Sequence, residues 1–127
     1  MDPTSETNIV ICEWNELDRL EQAFAEHPGE IGGVLMEPIL GNSNVIMPNP
    51  GYLEDVKSLC QREGALLCFD EVITGFRVAA GGAQELLGVT ADLATYAKAI
   101  AGGFPLAMLA GRREVMDLIG KGFVAHG

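Results

Sequence analysis

The chain has 127 residues, 48% of them hydrophobic, with a mean hydropathy of +0.21 and a formal net charge of −10. That length suits one domain or a piece of a larger one, and so apolar a composition excludes wholesale disorder. No apolar run reaches the roughly 20 residues a bilayer crossing needs, and the acidic surplus disfavours a phosphate backbone. Neither a membrane nor a nucleic acid is therefore an expected partner.

The charge is uneven: residues 1–63 carry twelve acidic and three basic side chains, most simply a solvated face. Met1 to Glu13 lacks the basic start and apolar core of a signal peptide, so the expected location is cytoplasmic. Cys12, Cys60 and Cys68 are odd in number and show no CxxC spacing, against both a disulfide framework and a zinc knuckle. His27 and His126 are far apart with no third ligand spaced to help, so no metal is expected. Neither a Gly-x-Ser-x-Gly elbow nor a Walker-type phosphate loop occurs.

In chain order, Asn8 to Cys12 (NIVIC) reads as a short β-branched strand. Asn15 is the expected cap of a helix through Glu26, with Leu17, Leu20 and Phe24 at helical spacing and Pro28-Gly29 as its stop. Ile31 to Met36 reads as the next strand and ends at Glu37-Pro38. A Gly/Asn-rich loop, Ile39 to Pro48, leads to Asn49-Pro50, which pairs a capping residue with proline at the first helical position. The helix that follows presents Leu53, Val56, Leu59 and Cys60 on one face and stops at Gly64.

Ala65 to Phe69 (ALLCF) is a continuous apolar run ending in Asp70-Glu71, the pattern of a strand buried on both faces. Thr74 to Gly82 reads as loop. Leu93 to Ala97 and Pro105 to Ala110 are further strands, and Arg112 to Gly120 a short helix carrying Val115, Met116 and Ile119. Strands alternating with helices predict an α/β fold with a mostly parallel sheet flanked by helices. In such sheets ligands bind beyond the carboxyl ends of the strands. That rule singles out Glu37, Asp70, Glu71 and the residue after Ala97.

That residue is Lys98, the one charged side chain between Leu93 and Gly111. Unaided, the plainer reading is a lysine at a strand end that reaches water. The sharper reading is a Schiff-base lysine, whose amine burial would keep neutral and nucleophilic. Gly102-Gly103 would let backbone come close to a flat cofactor. Asp70 divides in the same way, between a strand-end acid that caps a neighbouring group or pairs with Arg77 and a carboxylate that keeps a pyridine nitrogen protonated.

Here the residues resemble a known family. FDEVITGFR (Phe69 to Arg77), GGAQELLGVTADL (Gly81 to Leu93) and YAKAIAGGFPLAMLAGRREVM (Tyr96 to Met116) are similar to the middle of a class III aminotransferase. MEPILGN (Met36 to Asn42) and PNPGYLEDVKSLCQREGALL (Pro48 to Leu67) match the same family in the same order. Within it the nearest branch is glutamate-1-semialdehyde 2,1-aminomutase and its aminotransferase relatives. The resemblance implies a fold type I enzyme dependent on pyridoxal 5'-phosphate, acting on small amino and keto compounds and dimeric at full length. It assigns Lys98 to the covalent link with the cofactor, Asp70 to the pyridine nitrogen, Val72 to one ring face, and Glu37 to a supporting place nearby. Glu71, Asn42 and Gln84 match frequent family positions where a structural role is at least as good a reading.

The chain departs from the family in places. Ala97 precedes the lysine where the family usually carries Gly, and Ala101-Gly102-Gly103 stands for a triple Gly. Phe104 and Met108 also depart from a strict aminomutase. Aminomutase and plain transaminase thus both stay open. Residues 1–127 match the central portion of the cofactor-binding large domain, without the family's phosphate-cradling segment, its ring-stacking aromatic or its C-terminal domain. The chain alone is accordingly expected to be inactive. The alternative reading is a non-catalytic piece that self-associates or assembles with other parts.

Overall fold

The computed structural model describes residues 8–119. Four strands form one sheet in the order β1-β2-β3-β4: Gly33–Met36, Leu66–Asp70, Leu93–Tyr96 and Met108–Gly111. The first three are parallel, and β4 runs antiparallel to β3 with Tyr96 opposite Met108. The α/β class and the mostly parallel sheet are as expected. So is the pairing of β1 with β2: Met36 lies opposite Phe69, which brings Glu37 and Asp70 to the same edge of the sheet.

Helices α1 (Leu17–Glu26) and α2 (Tyr52–Glu63) supply the core that holds this sheet. Leu20 and Phe24 of α1 and Leu53, Val56, Leu59 and Cys60 of α2 form a continuous apolar cluster with Leu67 and Phe69 of β2 and Ala94 of β3. Burying a side chain of this size contributes about 1.5–3 kcal/mol, so these few residues fix the layer of helix on sheet. The stop at Gly64 is as expected. Its φ of 72° lies in the left-handed region that favours glycine, and the Ala65 N–H returns to the Cys60 carbonyl at 2.9 Å to close the helix end.

Several expectations are corrected. Asn8 to Cys12 is not a strand: no strand is assigned there among the described residues, and Ile11 is 92% exposed. A strand needs a ladder of hydrogen bonds to a partner, and this segment forms none among the described residues. Asn15 does not cap α1. It takes a left-handed backbone (φ 68°), and its side chain spans to the second loop, accepting from Asn49 N–H at 2.9 Å and donating to the Met47 carbonyl at 3.2 Å. Glu16 stands at the cap position of α1 instead, and α2 starts at Tyr52 behind Gly51 rather than at Asn49-Pro50.

Strand β2 is not buried on both faces. Leu67 and Phe69 are fully buried beneath the helices, whereas Leu66, Cys68 and Asp70 are half-buried. The final strand starts at Met108 rather than Pro105, and the last helix, α4, covers Arg113–Met116. Gly120 and His126 lie outside the described residues. A short helix, α3 (Gly82–Leu87), occupies sequence that carried no helix expectation. The three cysteines are free thiols, and burial pushes Cys60 on α2 from near 9.0 to about 11.

Candidate active site

The carboxyl edge of the parallel strands gathers the residues singled out above. Asp70 is the last residue of β2, opposite Thr95 of β3. Its Oδ1 accepts the Val72 N–H at 2.9 Å and the Thr95 hydroxyl at 3.4 Å. Oδ2 has no protein donor among the described residues. One oxygen thus anchors the carboxylate while the other stays available, on a side chain only half-buried. The expected alternative, an ion pair with Arg77, does not form: the Arg77 Nε–H donates to the Ile73 carbonyl at 2.9 Å.

Lys98 follows β3 by two residues and is exposed, so the desolvation expected from its apolar neighbours is absent here. The sequence pattern misleads because the apolar run does not pack over the lysine: Phe104 is 79% and Leu106 53% exposed. The Lys98 backbone is strained, as are those of Asn15, Asn44, Val45 and Phe76. With φ at 45° it occupies the left-handed region, which for a non-glycine residue costs of order 1 kcal/mol and persists only where the surroundings impose it. Its carbonyl accepts the Ala101 N–H at 3.1 Å, opening a chain of turns that runs on through Phe104.

Glu37, one step past β1, faces inward on its own loop. Its Oε2 accepts the Gly41 N–H at 3.0 Å and its carbonyl accepts the Trp14 indole N–H at 3.0 Å. Its contacts serve the loop. Asn42 lies exposed on the same loop. Val72 is half-buried, and its backbone, through Asp70, is the part engaged at the edge.

Glu71 is the residue whose weight sequence reasoning understated. It is completely buried, with 0% exposure, and four donors reach it. Oε2 accepts the Thr74 hydroxyl at 2.9 Å and the Ala83 N–H at 2.6 Å, and Oε1 accepts the Gln84 N–H at 3.3 Å and the Gln84 side-chain amide at 3.0 Å. All four are donors, the complement of an acceptor-only carboxylate. The same Gln84 Nε2 donates to the Tyr96 hydroxyl at 3.0 Å, while its Oε1 accepts the Ala91 N–H at 2.8 Å. Burial and the nearby Glu71 charge push the Tyr96 phenol above its ordinary value. The signal that could have found this network is Gly81-Gly82. A Cβ at Gly82, whose φ is 69°, would run into the Glu71 carboxylate.

An acid at the carboxyl end of one parallel strand and a lysine two residues past the next lie where open α/β sheets bind ligands. The aminotransferase class III family model matches residues 4–127, and the chain belongs to that family. It is 52% identical over 112 residues to a glutamate-1-semialdehyde 2,1-aminomutase of Alkaliphilus oremlandii, and 54% identical over 112 residues to that of Symbiobacterium thermophilum. Each match takes in 88% of this chain and 26% of the relative, so the chain spans about a quarter of their length. Among solved structures, a transaminase with PLP bound superposes over 100% of this chain and 31% of its own, at TM-score 0.88 and 27% identity. An omega-transaminase of Sphaerobacter thermophilus gives 0.87 and 32% over 100% of this chain and 30% of its own.

Proposed function

We propose that this chain is the central portion of the large domain of a pyridoxal 5'-phosphate-dependent enzyme that moves amino groups on small amino and keto compounds. The aminomutase branch is favoured by the 52% and 54% identities to two glutamate-1-semialdehyde 2,1-aminomutases. The single observation that carries the proposal is the juxtaposition at the sheet edge: Asp70 with one anchored and one available carboxylate oxygen, beside the strand that Lys98 follows by two residues.

These residues fit such a group. A protonated pyridine nitrogen needs an acceptor that stays put, and Asp70 is clamped by a backbone N–H and a hydroxyl, leaving an oxygen to accept a hydrogen bond from the ring N–H. Pyridoxal phosphate, when bound, supplies the electron sink for the chemistry at the substrate's α-carbon. Asp70 would hold a proton on the ring nitrogen. Lys98 would bind the cofactor's carbonyl carbon through Nζ and, once released, hold and return a proton at that nitrogen. Val72 would border the ring, and Glu37 would keep the adjoining loop in place rather than touch the substrate. A homodimer and a cytoplasmic location belong to the same reading.

The test is Lys98→Ala in the complete enzyme. Turnover should be abolished while non-covalent cofactor binding, measured by equilibrium dialysis, stays largely intact. Near-native transamination by the variant would overturn the reading, since another lysine would then be the nucleophile.

A second reading, a self-associating piece, is favoured by the exposed apolar edge. Leu35 of the edge strand is 71% exposed, beside the exposed Ile9 and Ile11. Sedimentation of the 127-residue chain decides it: a monomer at tens of micromolar excludes self-association as its activity.

A further inference from the structure

We propose that Gln84, held by the buried Glu71, is a positioning residue that sets the end of β3, and with it Lys98, relative to Asp70. The inference rests on the reading of Asp70 and Lys98 given above and adds to it a buried tie between the two strands that carry them.

Glu71 directly follows Asp70, and Tyr96 precedes Lys98 by two residues. At the backbone the strand ends are joined where the Glu71 N–H donates to the Thr95 carbonyl at 2.9 Å. Beyond that bond the parallel ladder with β2 stops, and on this side the strand end, whose other side pairs with Met108 of β4, has no further backbone bond to the chain that carries Asp70. Side chains take over at this point. The Gln84 amide bridges Glu71 Oε1 and the Tyr96 hydroxyl, each at 3.0 Å. Its orientation is fixed by Oε1, which accepts the Ala91 N–H, so Nε2 must be the end facing both oxygens.

The phenol ring is held from its other side as well. A Cβ at Gly75 would collide with the Tyr96 ring, and Phe76 lies against that ring at 5.5 Å between centroids. Gly75 and Phe76 belong to the segment that leaves Asp70 and Glu71. Tyr96 is therefore seated on the chain that follows one candidate site residue and leads directly to the other. The left-handed backbone at Lys98 begins two residues beyond this seat, where a small rotation of the strand end would displace Nζ over the full length of its side chain. No atom of Gln84 touches Asp70 or Lys98 in the hydrogen-bond network described, so its action is on where they stand.

The experiment uses the complete enzyme and its Gln84→Met and Tyr96→Phe variants. Tyr96→Phe keeps the ring on Gly75 and Phe76 and removes only the hydroxyl, so it tests the tie with little risk to folding. Two quantities are measured at matched folded fraction, established by urea titration. One is the rate at which pyridoxal phosphate plus borohydride labels Lys98; the other is amide hydrogen exchange at Glu71, whose N–H closes the ladder. Expected are labelling slower by about tenfold or more, as for a misplacement approaching 1 Å, and faster exchange at Glu71, in both variants. A purely structural role would lower the urea midpoint while leaving labelling per folded molecule and Glu71 exchange unchanged, and that result overturns the proposal. Unlabelled Lys98 in the unsubstituted chain overturns the cofactor reading itself and the proposal with it. Labelling in that chain that persists undiminished in both variants overturns the positioning role alone.

Discussion

Asp70 and Glu71 are neighbours in sequence with the same functional group, yet the fold uses them in opposite ways. Asp70 ends β2 half-buried, with one oxygen bonded and one free. Glu71 turns inward, is wholly buried, and spends both oxygens on four donors, one from Thr74 and three from Ala83 and Gln84 about a dozen residues on. None of the ion pairs among the described residues involves either acid. The difference teaches how a strand end can be both site and scaffold. Successive residues leave a strand on opposite sides, so one carboxylate can face a ligand while the next fastens the sheet to the following helix.

The comparison breaks most severely if the two acids respond alike to substitution. In the complete enzyme, Asp70→Asn keeps size and hydrogen bonding but removes the charge. We expect kcat to fall by several orders of magnitude, each tenfold being about 1.4 kcal/mol of transition-state stabilisation. Thermal stability should move little, because the Val72 N–H can still find an oxygen. Retention of full activity would make Asp70 a structural acid and erase the contrast.

Glu71→Leu should behave in the opposite way. It leaves two backbone N–H groups, a hydroxyl and an amide without their acceptor, at a cost on the order of 3–5 kcal/mol. Urea denaturation of the 127-residue chain reads this directly. A loss below about 1 kcal/mol would show that water or rearrangement replaces the carboxylate.

The contrast between these acids also marks what the sequence could reveal. The apolar runs of β1 and β2, the amphipathic face of α2 and the stop at Gly64 are local signals, and the structure follows them. So does the placement of Glu37 and Asp70 on one edge, which needs only two parallel strands in register. Helix α3 was not legible. It is short, it opens on Gly81-Gly82, and the acceptor for the Ala83 and Gln84 N–H groups comes from Glu71, too distant to register in a local window. The exposure of Lys98 was hidden for a related reason. An apolar neighbourhood in sequence implies burial only if those side chains pack inward, and Phe104 and Leu106 are exposed. Asn8 to Cys12 has strand composition, but composition cannot provide the neighbour a strand requires.

A smaller effect sharpens the comparison by locating a titration that concerns neither acid. The Cys60 thiol sits in the helix-covered core, and burial raises it to about 11 from near 9.0. Its folded value lies above its unfolded one, so its contribution to stability is complete below pH 9 and is lost as pH rises towards 11. The loss should be on the order of 1–3 kcal/mol. Urea midpoints across that range should fall for the native chain and fall less for Cys60→Ala. Equal slopes in the two would place the alkaline sensitivity elsewhere.

The central claim, that the end of β3 presents the amine which takes the cofactor, is tested most directly by covalent mapping. The chain contains three lysines, Lys57, Lys98 and Lys121. Pyridoxal phosphate is added to the 127-residue chain, the adduct is fixed with borohydride, and the modified peptide is identified by mass spectrometry. The account predicts a label concentrated on Lys98 that disappears in Lys98→Ala. A label spread evenly over the three lysines, or one that favours Lys57, would contradict it.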